Sequence, residues 1–417
     1  MEEFILALDQ GTSSSRALLY DNSGKTISIA QQAIEMSHPK DGWVEQDPNE
    51  IWDSVLATGR EAISSSGIDP KFIKGIGITN QRETTLVWNK KTGECVYNAI
   101  VWQDRRTIST CIEMDSAIID GKALSEQIAD KTGLLIDPYF SSTKLHWILS
   151  EIVVSDSSLD IDDLLFGTVD TYLIWKLTGG HSHATDVTNA SRTQLLNIST
   201  LEWDEDLLKY FDIPSFLLPT VLDSSAQYGY AEEKWFGAPV PITGVAGDQQ
   251  AALVGQCCFD SGMSKVTLGT GCFIMTNTGS EKYLPKDGLL TTIAYRINGQ
   301  TTYASEGSIF VAGQAVKWLR DQLGIIESVK DTEKAFVATK GDAGGVSVVP
   351  AFTGLGAPHW DPEARGLISG LTLDTSVEQI VVATLQSIAF QIADLVSLML
   401  KGGPVDQLRV DGGMAVN

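Results

Sequence analysis

The chain has 417 residues, 43% of them hydrophobic, and a formal net charge of −23 from 30 Lys and Arg against 53 Asp and Glu. That length suggests roughly two or three domains of about 150 residues each, and the apolar share is enough for large buried cores. The acidity argues against nucleic acid and anionic membranes as main partners; a polyanionic ligand would need local help from Arg, backbone amides or a metal ion. Five cysteines, Cys95, Cys111, Cys257, Cys258 and Cys272, follow neither a metal-site nor a disulfide spacing, which fits a reduced, cytoplasmic setting. The N-terminal MEEFILALDQGT has no basic region and too short an apolar run for a signal peptide.

Phe4 to Leu8 reads as a short strand ending at Asp9, followed by the polar turn Gln10 to Ser15 and a second strand, Arg16 to Tyr20. Asp21-Asn-Ser-Gly24 is a turn signal, and Thr26 to Ile34 is a third strand. Glu50 to Ser65 has helical spacing of Ile51, Val55 and Ile63, and Ile73 to Ile78 is a buried strand, so a strand–helix–strand crossover follows the opening meander. This is an α/β pattern. Thr84 to Trp88 and Ala99 to Trp102 look like short strands; Ser109 to Ala129, Ser141 to Leu149 and Gly167 to Leu177 look helical. Asp186 to Ile198 is polar and reads as a loop.

The stretch from Pro241 to Thr278 holds an isolated acid, Asp248, in a glycine-rich turn before a helix, Gln249 to Gln256. Two strands follow, Lys265 to Leu268 and Cys272 to Asn277, joined by a Gly-Thr-Gly turn. Such a turn offers backbone N–H groups and a hydroxyl to phosphate oxygens. Taken alone, the stretch reads equally well as an N-cap Asp beside an ordinary hairpin. LALDQGTSSSRALLYD and VTLGTGCFIMTN share one pattern, strand, Gly-Thr turn, strand, so the chain reads as two duplicated halves facing a cleft, divided near Gly255. Ile293 to Ala304 is a further hairpin and Ser308 to Leu323 a helix. Val346 to Phe352 is a strand, and Val377 to Leu400 a helix whose apolar part, Val381 to Leu400, reads as mostly buried rather than membrane-spanning. Leu408 to Val410 is a last strand running into Asp411-Gly-Gly413, where a helix is expected next. A chain ending at Asn417 is expected to hold its second half loosely and bind ATP poorly.

Asp9, at the end of a buried strand and opposite Asp248 across the cleft, is placed to hold Mg²⁺ directly or through water. The hydroxyls and N–H groups of Thr12, Ser13 and Ser14 face phosphate oxygens, with Arg16 adding positive charge. Arg82 and Glu83 follow a buried strand and give a donor fork beside an acceptor, which suits a small polyhydroxy ligand; an exposed ion pair is the plainer alternative. Trp102, Tyr139 and Phe273 are aromatics next to polar turns, fit to pack on a carbon backbone or to fill a core.

GWVEQDPNEIW, IGITNQRETT, AIVWQDRRT, IDPYFSSTK, GTVDTYLIWKLTGG, TNASRTQLLNI, GVAGDQQAALVGQ, LGTGCFIMTNTG, FTGLGAPHWDPEARG and RVDGG, with the opening motif, run in this order along the whole chain. Together they resemble the FGGY carbohydrate kinases, in particular members that phosphorylate glycerol. The resemblance implies two ribonuclease-H-like α/β domains of the actin, hexokinase and Hsp70 type flanking a catalytic cleft. Residues 1–254 would bind acceptor and phosphate, and 255–417, an incomplete second domain, the nucleotide. It implies Asp248 as general base and Arg82, Glu83, Trp102, Tyr139, Asp248, Gln249 and Phe273 around glycerol. Thr12, Ser13, Ser14 and Arg16 would lie at the phosphates of ATP. Thr270, Gly313, Lys317, Gly413 and Asn417 would bind the nucleotide, with Mg²⁺ at Asp9 and Asp248; Lys317 stands where many relatives carry Gln. The segment YGYAEEKWFG lacks the glycine-rich loop through which some members bind fructose 1,6-bisphosphate. The resemblance further implies a cytoplasmic homo-oligomer, dimer or tetramer. The alternatives are a kinase for a pentulose or gluconate, a non-enzymatic ATP switch, and an inactive shortened form. NQRETT and IDPYFS favour glycerol.

Overall fold

A computed structural model describes residues 3–284 and 287–415. The chain forms two compact units, Met1–Ala251 with Thr292–Thr301, and Ala252–Thr291 with Thr302–Asn417. The expected boundary near Gly255 lies on the same helix, Asp248–Gly255, as the division between the units.

In the first unit, Phe4, Leu6 and Leu8 alternate with more exposed residues, and this period of two lays one face of the strand Phe4–Gln10 on the core. The strands Ser14–Asp21 and Thr26–Ala33 continue it as an antiparallel meander. The Asp21 carboxylate accepts from the Ser23 N–H and helps close the turn between them. The helix Pro48–Ser66 starts with Asp47 as N-cap and Pro48 in its first turn and stops at Gly67, whose φ of 70° is left-handed. It buries Ile51, Trp52 and Val55 in the cluster that holds Leu6 and Leu8. The six strands run Ser225–Ala231, Val240–Gly247, Ile73–Asn80, Phe4–Gln10, Ser14–Asp21, Thr26–Ala33. Phe4–Gln10 and Val240–Gly247 flank Ile73–Asn80, both parallel to it. Three carboxyl ends therefore meet on one edge of the sheet, where open α/β sheets bind ligands.

This corrects one expectation. Asp9 and Asp248 do not come from opposite sides of a cleft; both stand at strand ends of the same sheet, one strand apart. The helix expected over Ser109 to Ala129 is two helices, Ile108–Asp115 and Leu124–Thr132, separated by the pair Ile118–Ile119 and Lys122–Ala123. Asp120 and Gly121 both take positive φ, 51° and 78°, and this Asp-Gly turn overrides the helical spacing around it. Gly167 ends the strand Leu164–Gly167, and the helix starts only at Val169. Asp186 to Ile198 is a short helix, Val187–Ala190, with turns, and almost all of it is buried.

The second unit repeats the plan. Its strands run in the order Gln300–Ile309 (from Thr302 on), Cys272–Gly279, Met263–Leu268, Gln407–Asp411. The last strand lies parallel beside Met263–Leu268, as Ile73–Asn80 lies beside Phe4–Gln10. Ser308 and Ile309 belong to a strand, because they pair with Phe273 and Cys272; the helix expected from Ser308 starts at Gly313. The helix Val377–Gly402 opens with a capping box between Ser376 and Gln379. It buries Val381, Val382, Leu395 and Met399 in two core clusters, but leaves Phe390 64% and Leu400 55% exposed, so it is buried along one side rather than mostly. Among the described residues it is the single helix long and apolar enough, by length and composition, to cross a membrane.

Candidate active site

Asn80 ends its strand and the chain turns through Gln81, Arg82 and Glu83, all buried. Glu83 has a φ of 62°, a conformation that costs a non-glycine residue on the order of 1 kcal/mol or more. The turn is held around it: the Thr84 N–H donates to the Arg82 carbonyl at 2.7 Å, and the Ser141 and Thr85 hydroxyls donate to the Glu83 carbonyl at 2.9 and 3.1 Å. Arg82 and Glu83 are each only 2% exposed at the side chain, which removes the exposed-ion-pair alternative.

The Arg82 guanidinium reaches groups from different parts of the unit. Nε is 3.4 Å from Asp248 Oδ1, Nη1 donates to Gln250 Oε1 at 3.2 Å, and Nη2 donates to the Tyr139 hydroxyl at 3.4 Å. Asp248 opens the helix Asp248–Gly255 and its side chain is 34% exposed. Its Oδ1 accepts from the Gln249 N–H at 2.8 Å and its Oδ2 from Gln249 Nε2 at 3.2 Å. The Tyr139 and Trp102 rings meet edge to face, centroids 5.6 Å apart, and form an apolar wall. Lys144, fully buried, donates to the Tyr139 carbonyl at 2.8 Å; burial pulls its pKa down to about 8. The structure thus gathers Arg82, Glu83, Tyr139, Asp248 and Gln249, with Trp102, at one sheet edge.

The turn Gly11 to Ser14 lies at the end of the neighbouring strand, closed by the Gly11 N–H on the Ser14 carbonyl at 3.0 Å. Thr12 and Ser14 are half-buried and Ser13 is exposed. A chain of uncharged amides joins this turn to the Arg82 turn. Gln46 Nε2 donates to the Thr12 carbonyl at 2.6 Å, and Gln81 Nε2 donates to Gln46 Oε1 at 2.7 Å and Gln10 Oε1 at 3.1 Å. The Thr84 hydroxyl donates to Gln81 Oε1 at 3.0 Å, and Trp102 Nε1 donates to the Thr12 hydroxyl at 2.9 Å. Arg16 pairs across the strands with Asp9, Nη2 to Oδ2 at 2.6 Å. Among the described residues, no group of three or more His, Cys, Asp or Glu is arranged to hold a metal ion. Mg²⁺ needs no such cage, since one or two carboxylates with phosphate oxygens and water suffice. Asp9 and Asp248 supply one carboxylate each at strand ends of the same sheet.

In the second unit, Thr270 sits exposed in the turn between two antiparallel strands. The Gln314 N–H donates to the Thr270 carbonyl at 3.1 Å and the Gly313 N–H to the Gly269 carbonyl at 3.0 Å. A Cβ on Gly313 would lie 2.6 Å from that Gly269 oxygen and 2.7 Å from Met414 Sδ, so only glycine lets the helix start this close to the turn. The Met414 N–H donates to the Leu268 carbonyl, which brings Gly413 alongside. Lys317, one turn along the helix, is exposed and lines a cavity of about 680 Å³ with Gln314, Trp318, Phe352 and Arg365. Thr270, Gly313 and Gly413 therefore converge; Phe273 is half-buried on the strand after Thr270, and Asn417 lies outside the described residues.

Residues that the sequence reading passed over also support the site. Asp170 and Asp186 are fully buried. Asp170 accepts from the Thr168 and Thr185 hydroxyls at 2.5 and 2.6 Å, yet burial, aided by the nearby Asp186 charge, raises its pKa to about 7. A carboxyl raised from 3.8 to about 7 binds its proton in the folded state first, so it favours folding in acid and loses that contribution as pH rises through this window. Asp170→Asn is expected to close the stability gap to wild type, or reverse it, between pH 5 and pH 8, by up to about 2.5 kcal/mol. Urea unfolding of both proteins at the two pH values reads this directly; a gap that does not change with pH means that Asp170 is ionised in the folded protein.

The profile of the FGGY family of carbohydrate kinases, N-terminal domain, matches residues 4–255, and that of the C-terminal domain matches 264–417. The chain is 53% identical over 419 residues to a glycerol kinase of Ectopseudomonas mendocina, covering 100% of this chain and 83% of the relative. It is 54% identical over 420 residues to a glycerol kinase of Petrotoga mobilis, with 100% and 83% covered. The crystal structure of Plasmodium falciparum glycerol kinase with ADP superposes with a TM-score of 0.87 at 36% identity, over 100% of this chain and 82% of that one. With both domain profiles matched in order and these identities over its full length, the chain belongs to the FGGY family of carbohydrate kinases, among the glycerol kinases.

Proposed function

We propose that the protein transfers the γ-phosphoryl group of ATP to a terminal hydroxyl of glycerol, giving sn-glycerol 3-phosphate. The observation that carries this reading is the meeting of Arg82, Glu83, Tyr139 and Gln249 with Asp248 at one sheet edge. Glycerol presents three hydroxyls, each both donor and acceptor. Arg82, Tyr139 and Gln249 supply donors, Glu83 and Asp248 supply acceptors, and Trp102 covers the carbon chain, with Phe273 as a further apolar contact. Asp248 is the general base for the attacking hydroxyl. Phosphoryl transfer needs alignment and charge neutralisation more than covalent help. Thr12, Ser13, Ser14 and Arg16 hold the phosphates; Thr270, Gly313, Lys317, Gly413 and Asn417 hold the rest of the nucleotide. Residues 1–254 thus serve acceptor and phosphate, and 255–417 the nucleotide. Mg²⁺ bound near Asp9 and Asp248 would neutralise charge on the transferring phosphates.

Five free thiols support a reducing cytoplasmic setting; a homo-oligomer, dimer or tetramer, follows from the family resemblance. A nucleotide switch without an acceptor needs none of the Arg82 cluster, and the folds shared with gluconate and xylulose kinases at 23% and 24% identity carry no substrate information. The direct test is ADP release with glycerol, xylulose and gluconate in parallel: turnover with glycerol alone supports the reading, and preference for another acceptor overturns it. Arg82→Ala is expected to raise the KM for glycerol about 10- to 100-fold, the cost of a lost charged hydrogen bond, and to leave the KM for ATP nearly unchanged. The reverse pattern would move Arg82 to the phosphates.

A further inference from the structure

The segment TNASRT, polar in sequence and buried in the fold, touches three parts of the site at once. Asp186 caps the helix Val187–Ala190, accepting from the Thr188 and Asn189 N–H groups at 3.0 and 2.9 Å. The Thr188 hydroxyl in turn accepts from the N–H of Gly247, the residue before the base, at 2.9 Å. Asn189 and Asn80 exchange two side-chain hydrogen bonds, of 3.0 and 3.1 Å, at the strand end that leads into Arg82. Arg192 Nε donates to Glu83 Oε1 at 2.6 Å, and its guanidinium carbon lies 5.6 and 5.3 Å from the Tyr139 and Phe140 ring centres.

Glu83 Oε1 lies between two guanidiniums, and Arg192 is the nearer, at 2.6 Å against 3.8 Å for Arg82. Arg192 is 0% exposed, so it is out of reach of solvent and meets its charge partner entirely inside the protein. A buried cation at this distance offsets the desolvation of the Glu83 carboxylate and fixes its direction. It does so at a residue with left-handed φ, where the backbone alone does not favour the observed orientation. Arg82 is then left to serve Asp248, Tyr139 and the acceptor. We propose that Arg192 is a positioning residue for acceptor recognition: it fixes the direction of the Glu83 carboxylate, aimed at a substrate hydroxyl, without touching the substrate. This rests on the reading of Glu83 as an acceptor ligand.

The test compares Arg192→Met, Arg192→Lys and Glu83→Gln in the full chain. Arg192→Met is expected to raise the KM for glycerol about 10- to 100-fold, with kcat within about three-fold and the KM for ATP within about two-fold of wild type. Arg192→Lys restores the charge without the fork and is expected to recover about ten-fold of the loss. An unchanged glycerol KM in Arg192→Met, or equal damage to glycerol KM, ATP KM and kcat, would overturn the proposal. Should Arg192→Met not fold, Arg192→Lys decides: a raised glycerol KM at constant ATP KM supports the role, and an unchanged one removes it. Glu83→Gln separates the two readings. If it leaves the glycerol KM unchanged, Glu83 is no acceptor ligand and both fall. If it raises the KM while both Arg192 variants behave as wild type, only the role of Arg192 falls.

Discussion

Asp248→Asn is expected to lower kcat by about 10²- to 10⁴-fold, the usual contribution of a positioned general base. The amide keeps an oxygen to accept from the Gln249 N–H and from Arg82, so the pocket retains its shape. It loses the lone-pair basicity that takes the proton from the attacking hydroxyl. The KM for glycerol should change far less than kcat, because the contacts made by Oδ1, to the Gln249 N–H and Arg82, survive. Steady-state kinetics against both substrates measure this, and a kcat within a few-fold of wild type would show that another group removes the proton.

The second large effect is expected from a single methyl group. A Cβ on Gly247 would lie 2.7 Å from both Cγ and Cδ of Arg82 and 3.0 Å from Gln250 Oε1. Arg82 is buried and held by Gln250, Tyr139 and Asp248, so it has little room to yield. The Gly247 backbone is itself tied to Thr188. Gly247→Ala therefore shifts either Arg82 or Asp248 by a sizeable fraction of an ångström. Misplacement on that scale costs about 10²-fold in rate, so kcat/KM for glycerol is expected to fall by about that factor, while nucleotide affinity measured by calorimetry stays near wild type. A variant with unchanged glycerol kinetics would mean that the pocket relaxes around the methyl group and that its geometry is softer than its packing implies.

The elements that carry the site were legible because their signals are local. Phe4 to Asp9 alternates, Asp21 to Gly24 is turn chemistry, and Ser376 with Gln379 caps a long apolar helix; each needs no distant partner to form. Arg82, Glu83 and Asp248 were legible as well, since each follows an apolar run that becomes a parallel strand. Long-range placement was not. Nothing in the sequence reveals that Asp9 and Asp248 share one sheet, because strand order is a property of the assembled fold. Asp186 to Ile198 reads as a loop in sequence for a similar reason: Asn189, Arg192 and Gln194 are polar, and polarity signals exposure unless partners such as Asn80, Glu83 and Ser142 are known. A run of Ser, Thr, Asn and Arg beside an Asp N-cap is the signal that was there to be followed.

The amide chain from Thr12 through Gln46 and Gln81 to Thr84 sets the spacing between the Gly11–Ser14 turn and the Arg82 turn. Every link in it is a dipole, and none carries a net charge. Mobile ions screen exposed charges over distances of roughly 8–10 Å at ordinary ionic strength, but they have little purchase on buried dipoles. The Asp9–Arg16 pair, with side chains 23% and 48% exposed, softens as salt rises, whereas the amide chain between the two turns does not. In a chain this acidic, with its long-range field open to screening, the spacing of these two turns is thus kept by a kind of bond that the ionic medium does little to loosen.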